Sequence, residues 1–310
     1  MSGKMEILDR NLNSMSFPVG GPVLDELLDH AVERLRAAQS SPSAPCKVCG
    51  AAAFPFDMVD FNKSCEGTPR ETPLAAIPVV YRMCGECQFI FTDFFDNFTS
   101  EQWRRYIYND DYIRVDPEYL DIRPRRMARV IGAFLSANKG SYIGLDYGGG
   151  SGLTASLLRE SGFAFDSFDP FGHTEMSPEK IGHFNFCSAI EVFEHTTDPM
   201  GTLHSIVEKA SSVRVAIMIS TAFNDSVVSS DTRLASWSYA APRNGHVSLY
   251  SHKSWKVLGD AFGLTLARLS TGPFLLTRGI SEGSARAMLV RGKLLRRLSS
   301  ALRLPRSKPS

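Results

Sequence analysis

Short apolar runs that alternate in and out, and longer runs with a period near 3.6, take turns through residues 124–276, the pattern of strands interleaved with helices. Residues 124–136 read as a helix. A strand over 142–145 and a helix over 153–160 follow, the latter with leucines on one face. Strands come next over 163–168 and 184–190, then a helix over 201–209 that turns Leu203, Ile206 and Val207 inward. A further strand spans 213–220, and a helix over 253–262 takes Ser251 as its N-cap. Closing antiparallel strands are expected over 264–269 and 274–276. Such alternation predicts an α/β fold, a Rossmann-like open sheet with helices on both faces.

The first half is patterned differently. A helix is expected around 23–38, and Phe54, Phe56, Val79, Val80, Tyr81, Phe89 and Phe91 would supply the core of a small β-hairpin region. Residues 224–244, with Trp237, Tyr239 and Pro242, form a long polar stretch of the length expected for a substrate-covering lid. The divisions that follow are 1–43, a helix and linker; 44–98, a cysteine module; 99–135, a helical connector; 136–280, the α/β domain; and 281–310, a tail.

At 310 residues the chain has room for a catalytic domain plus a smaller module. Its 43% hydrophobic and 22% charged content is ordinary for a soluble globular protein. A net charge of +1 gives no global reason to expect nucleic acid as a partner. No apolar run reaches membrane-spanning length and residues 1–10 lack the core of a signal peptide, so a cytoplasmic protein is expected.

Six cysteines are present, four of them in two C-x-x-C pairs, Cys46/Cys49 and Cys84/Cys87. Two intervening residues let both thiolates of a knuckle face one metal, and two knuckles close a tetrahedral structural Zn2+ site with no open position. Gly50 and Gly85 suit tight turns whose amides could point at the sulfurs. A redox dithiol and plain buried cysteines are the other readings, and Cys65 and Cys187 read as ordinary thiols.

Between the first strand and helix of the α/β half lie Asp146, Gly148, Gly150 and Gly152. Glycines let a backbone turn tightly and approach a ligand that a Cβ would exclude. A dinucleotide fingerprint needs G-x-G-x-x-G, and here its third glycine position is Leu153. Asp169 ends the next strand, where a carboxylate can accept both hydroxyls of a ribose. This D-x-G-x-G-x-G arrangement resembles that of class I methyltransferases. The resemblance implies S-adenosylmethionine as cofactor, its ammonium and sulfonium suiting an acidic residue at the mouth of the loop. A glycine-rich loop of some other α/β enzyme is the competing reading.

Glu191, Glu194, His195, Asp198 and Pro199 resemble that family's E-x-x-E-H-x-x-D-P segment, and His246, Tyr250 and Ser251 its H-x-x-x-[FY]-S motif. The resemblance implies Glu191 near the methionine part of the cofactor, with Glu194 and His195 reaching the transfer pocket. His246 is the first choice of general base, since imidazole titrates near working pH, and His195 the second. A four-cysteine module, a tyrosine-rich connector and a methyltransferase domain together resemble bacterial methyltransferases of deoxysugar and surface-polysaccharide pathways, over about residues 44–280. The implied acceptor is a small molecule, a sugar or nucleotide-linked sugar, methylated on oxygen or carbon, with Tyr106, Tyr108 and Tyr112 lining its side.

Three departures stand out. No third strand with an adenine-binding acid is found between Asp169 and residue 184, Asn185 stands where many relatives have Asp, and the further C-terminal domain of the sugar C-methyltransferases is not found. A methyltransferase for another natural product, or a degenerate fold acting as a scaffold, are the rival functions. Residues 286–308 hold eight basic and no acidic residues, with Val290, Leu294, Leu298 and Ala301 on one helical face. That face implies contact with an anionic membrane surface or an acidic partner, or else a solvated terminus.

Overall fold

The structure, a computed structural model, describes residues 22–66, 76–171, 182–229 and 232–301. Its first helix, α1 (Pro22–Ser40), leads into β1 (Ala44–Pro45), β2 (Ala52–Asp60), β3 (Pro78–Cys84) and β4 (Ile90–Phe91). A connector of α2 (Ser100–Tyr106), α3 (Tyr112–Val115) and α4 (Ile122–Leu135) follows. The second half runs β5 (Ile143–Tyr147), α5 (Leu153–Glu160), β6 (Ala164–Phe168), β7 (Phe186–Ile190), α6 (Pro199–Lys209), β8 (Val215–Ser220) and α7 (Asp225–Val228). It closes with β9 (Ser248–Leu249), α8 (His252–Ala261), β10 (Thr265–Ala267), β11 (Phe274–Arg278) and α9 (Glu282–Ala301).

The larger sheet has the order β10-β11-β8-β7-β5-β6, with β5 to β8 parallel and β10 and β11 antiparallel. Its central strands are buried on both faces, as a parallel sheet covered by helices requires. On β8, Ala216 and Met218 pack with Ile131, Phe134, Leu158 and Leu289 of α4, α5 and α9. Val215, Ile217 and Ile219 turn the other way, toward Leu203 and Ile206 of α6 and Trp255 and Leu258 of α8. Among the described residues no strand flanks the outer edge of β6, consistent with the missing third strand; residues 172–181 lie outside the description.

The second sheet crosses the expected boundary at residue 98. Its order is β1-β2-β3-β4-β9, so two residues from the far half of the chain, Ser248 and Leu249, complete the sheet of the cysteine module through Ile90↔Leu249 and Phe91↔Ser248. Within the stretch read as a lid, residues 233–241 are tied to the rest of the protein. Leu234, Ala240 and Ala241 are fully buried, Arg233 makes a bidentate pair with Asp57 of β2, and Lys63 Nζ donates to the carbonyls of Trp237 and Ala240.

The tail helix packs on the fold by a face distinct from the one read as amphipathic. Ala285 and Leu289 are buried and Gly292 sits against Phe134, whereas Val290 and Leu294 are more than half exposed. The side chains of Leu298 and Ala301 lie outside the described residues. Among the described residues no helix is long and apolar enough to cross a membrane.

Candidate active site and cysteine cluster

The glycine loop leaves the carboxyl end of β5, the end at which ligands bind in open α/β sheets. Gly148, Gly150 and Gly152 have φ of 71°, 56° and 75°, a conformation costly for residues with a Cβ. A Cβ on Gly148 would stand 2.4 Å from Val192 Cγ2, whereas one on Gly150 would meet nothing within 4 Å. The open side of the loop is therefore at Gly150. Its amide donates to Asp169 Oδ2 at 2.7 Å, and Phe171 N donates to Oδ1 at 2.8 Å, so the carboxylate is held at the loop with further acceptor lone pairs.

Asp146 is not at the mouth of the loop, as expected, but beneath it. Only 4% exposed, it accepts a 2.6 Å bond from Ser188 Oγ, and burial raises its pKa to about 7. A Cβ on Gly149 would fall 2.8 Å from its Oδ2 and 2.2 Å from Ser167 Oγ. Gly149, not singled out in the sequence, is thus the glycine that lets the loop lie down on Asp146.

Across the sheet end, Glu191 follows β7 with φ 54°, a strained conformation worth about 1–3 kcal/mol for a residue with a side chain. It is held by Glu191 N donating to Ser220 O at 3.1 Å and Ser220 Oγ donating to its carboxylate at 3.3 Å. The turn Phe193–His195 then brings in Glu194, fully buried, whose Oε1 accepts from the Tyr239 hydroxyl and whose Oε2 has no partner. Burial and the neighbouring Glu191 raise the Glu194 pKa well above the usual carboxylate range.

His195 and His246 meet here, their ring centroids 5.0 Å apart at 73°. His246 Nδ1 lies 2.8 Å from the carbonyl oxygen of Tyr239. A carbonyl only accepts, so Nδ1 carries the proton and Nε2 keeps its lone pair. Burial pulls the His246 pKa down to about 4 and that of His195 well below its ordinary value. Both imidazoles are therefore neutral at physiological pH, and the expectation that His246 titrates near working pH is corrected.

The three tyrosines separate. Tyr108 bridges the two halves of the site, its ring 6.1 Å from Phe171 and 6.4 Å from His195. Tyr112 stacks edge-on against it at 5.1 Å and donates to Asn244 O. Tyr106 instead faces Phe98 and Glu26 of α1, away from the histidines. Tyr239, which links Glu194 and His246, has no sequence signature, nor does the Arg123–Asp116 bidentate pair at 2.7 and 2.9 Å whose charges act on Glu191 and His246.

The four cysteines of the two knuckles converge, with Cys46 Sγ 3.6 Å from Cys87 Sγ and Cys49 Sγ 3.5 Å from Cys84 Sγ, all within 4.8 Å of one another. The amides of Val48 and Cys87 are aimed at sulfur, each 3.4 Å away, whereas those of Gly50 and Gly85 donate to the carbonyls of Cys46 and Ala52. Cys187 is buried on β7 of the large sheet, and Cys65 lies 3.8 Å from His246 Nδ1, where burial pushes its thiol up to about 12.

Residues 119–269 match a family model described as a methyltransferase domain. That segment holds most of the open α/β sheet, with its glycine loop at the strand ends. No curated protein matches the chain. Among solved structures, it is similar to magnesium protoporphyrin IX methyltransferase (ChlM) from Synechocystis PCC 6803 with bound SAH, at 14% identity and TM-score 0.36, covering 60% of this chain and 95% of that one. The plantazolicin methyltransferase BpumL, in complex with a desmethylPZN analog and SAH, matches at 13% identity and TM-score 0.42, over 66% of this chain and 89% of its own. An O-methyltransferase family protein from Burkholderia thailandensis matches at 14% and 0.38, over 58% and 62%.

Proposed function

We propose that the protein transfers a methyl group from S-adenosylmethionine to a hydroxyl oxygen of a small molecule, with a sugar or nucleotide-linked sugar as the acceptor class. The observation that carries this reading is the His246 ring, neutral, with Nδ1–H spent on a backbone carbonyl and Nε2 left with its lone pair. The cofactor supplies an electrophilic methyl. The open side of Gly150 and the Asp169 carboxylate would hold its ribose, and Glu191 would face its ammonium end. With the cofactor bound, its methyl would pass to the acceptor oxygen with the sulfur keeping the bonding pair, and His246 Nε2 would take the hydroxyl proton. His195, 5.0 Å away by ring centroid, is the alternative base. Tyr108 and Tyr112 form the aromatic wall against which an acceptor ring would be aligned, and alignment is worth several kcal/mol in such displacements.

A structural zinc ion at Cys46, Cys49, Cys84 and Cys87 belongs to the same reading. Tetrahedral zinc with bonds near 2.3 Å separates its sulfurs by about 3.8 Å, close to the 3.5 and 3.6 Å seen here. Titration calorimetry with S-adenosylmethionine tests the core of the proposal, with Asp169→Ala as control. Saturable binding that the substitution removes is expected, and no heat at millimolar ligand would refute it. Turnover screens against hydroxylated sugars and nucleotide-linked sugars test the acceptor class.

A further inference from the structure

We propose that Glu194, His195 and His246 form a second metal site, for a divalent transition ion, distinct from the four-cysteine cluster. One ring nitrogen from each histidine and one carboxylate oxygen of Glu194 lie within 4.8 Å of one another. On two of these side chains a buried atom, Glu194 Oε2 and His195 Nδ1, has no well-formed hydrogen bond, although the Glu191 carboxyl and the Gly245 backbone stand close to them. A buried polar atom left unpaired costs about 1–3 kcal/mol, and an ion bound by Glu194 and His195 is a partner that would relieve it.

The surroundings are those a metal site requires. Histidine ligands ordinarily pass their other ring N–H to a carbonyl or carboxylate, which fixes the ring and raises its basicity. His246 does this through Nδ1 to Tyr239 O, and the same Tyr239 donates its hydroxyl to Glu194 Oε1, so one residue orients two of the three ligands. Two imidazoles and a carboxylate suit zinc, nickel, cobalt or iron in the divalent state, and leave further positions open to water or to an acceptor hydroxyl. No thiolate belongs to the set, which separates its chemistry from that of the cysteine cluster.

An ion in this site occupies the histidine nitrogens that the proposed proton transfer uses. Metal uptake and base catalysis are then competing uses of the same atoms, and excess divalent ion suppresses turnover without displacing the cofactor. That consequence rests on the base reading; the existence of the site does not.

The test uses the full-length protein as purified, with the cysteine cluster left loaded. It is equilibrated with Co2+, desalted, and assayed for cobalt and zinc per chain and for its visible spectrum. One added cobalt is expected, with weak ligand-field bands and without intense thiolate charge-transfer absorption. Glu194→Gln and His246→Ala should lose that cobalt, and Tyr239→Phe should weaken it by about 10–100-fold, the usual effect of removing a group that orients a ligand. Should His246→Ala fail to fold, Tyr239→Phe and Glu194→Gln carry the comparison. The proposal is overturned if no cobalt binds beyond the cysteine cluster, if uptake is unchanged in the variants, or if the bound cobalt shows thiolate bands. None of these readouts depends on methyl transfer, so the site and the base role can fail separately.

Discussion

The hydroxyl of Tyr81 donates to the main-chain carbonyl of His246 at 2.6 Å, so a strand of the cysteine module holds the backbone of the candidate base. Both residues are almost completely buried. Tyr81→Phe leaves that carbonyl without its tyrosine donor, and should cost about 1–3 kcal/mol of stability. It should also lower the methyl-transfer rate while leaving cofactor affinity unchanged, because Asp169 and the glycine loop lie at a different part of the sheet end. Denaturant melts, calorimetry and turnover measured together check this; unchanged kcat in the folded variant would contradict the link.

His246→Ala should reduce turnover by roughly 10²–10⁴-fold, the scale of general acid–base catalysis. With a folded-state pKa of about 4, the base is already unprotonated at neutral pH, so the rate should be flat in this group across the neutral range and fall only in acid.

The same shift affects stability. The unfolded chain takes up the His246 proton near pH 6.5, before the folded protein does, so this contribution is complete above about pH 6.5 and is lost as pH falls toward 4. His195, also depressed, acts in the same direction. Melting curves of the native protein and of His246→Gln should therefore draw together as pH drops through that window.

Gly149→Ala and Gly150→Ala should fail in different ways. The first places a Cβ 2.2 Å from Ser167 Oγ and should lower the melting temperature as well as cofactor affinity. The second meets no protein atom within 4 Å and costs about 1–2 kcal/mol for its left-handed backbone, so its larger effect should be on binding. Thermal melts beside calorimetry separate the two.

Cys46→Ser or Cys84→Ser should remove zinc and lower thermal stability, since structural zinc binding is coupled to folding. On the sequence alone the module would be expected to melt before the methyltransferase domain. The pairing of β4 with β9, and the bonds from Ser251 Oγ to Cys87 O and from Asn224 Nδ2 to Gln88 O, predict instead one shared transition. Scanning calorimetry of the variants distinguishes one transition from two.

What could be read from the sequence was local. The helix over 153–160 is found as Leu153–Glu160, and Ser251 caps α8 in a capping box with Ser254, because periodicity and capping depend on residues a few positions apart. The C-x-x-C spacing within each pair is likewise local, whereas the convergence of the two pairs, 35 and 41 residues apart, depends on the pairing of β2 with β3. Tyr239 was not legible as a site residue, for its part is played by a main-chain carbonyl and by a hydroxyl aimed across the fold at Glu194. Nor was the depressed His246 pKa, which follows from burial under elements distant in sequence. Residues 224–244 looked like a lid because they are polar, yet Asp57 and Lys63 meet that polarity inside the protein.

The sheet shared through β9 bears on how this chain can be cut. A fragment beginning after residue 98 would keep the glycine loop, Asp169, Glu191 and both histidines. It would also strip Val247, Leu249, Leu234 and Val227 of the aromatic and aliphatic cover supplied by Phe61, Val79, Tyr81 and Phe94. Ser248 and Leu249 would present unpaired backbone beside that bared surface, a template for another chain to add to. Such a fragment should behave as a self-associating species, and a soluble minimal enzyme must begin before the first cysteine pair.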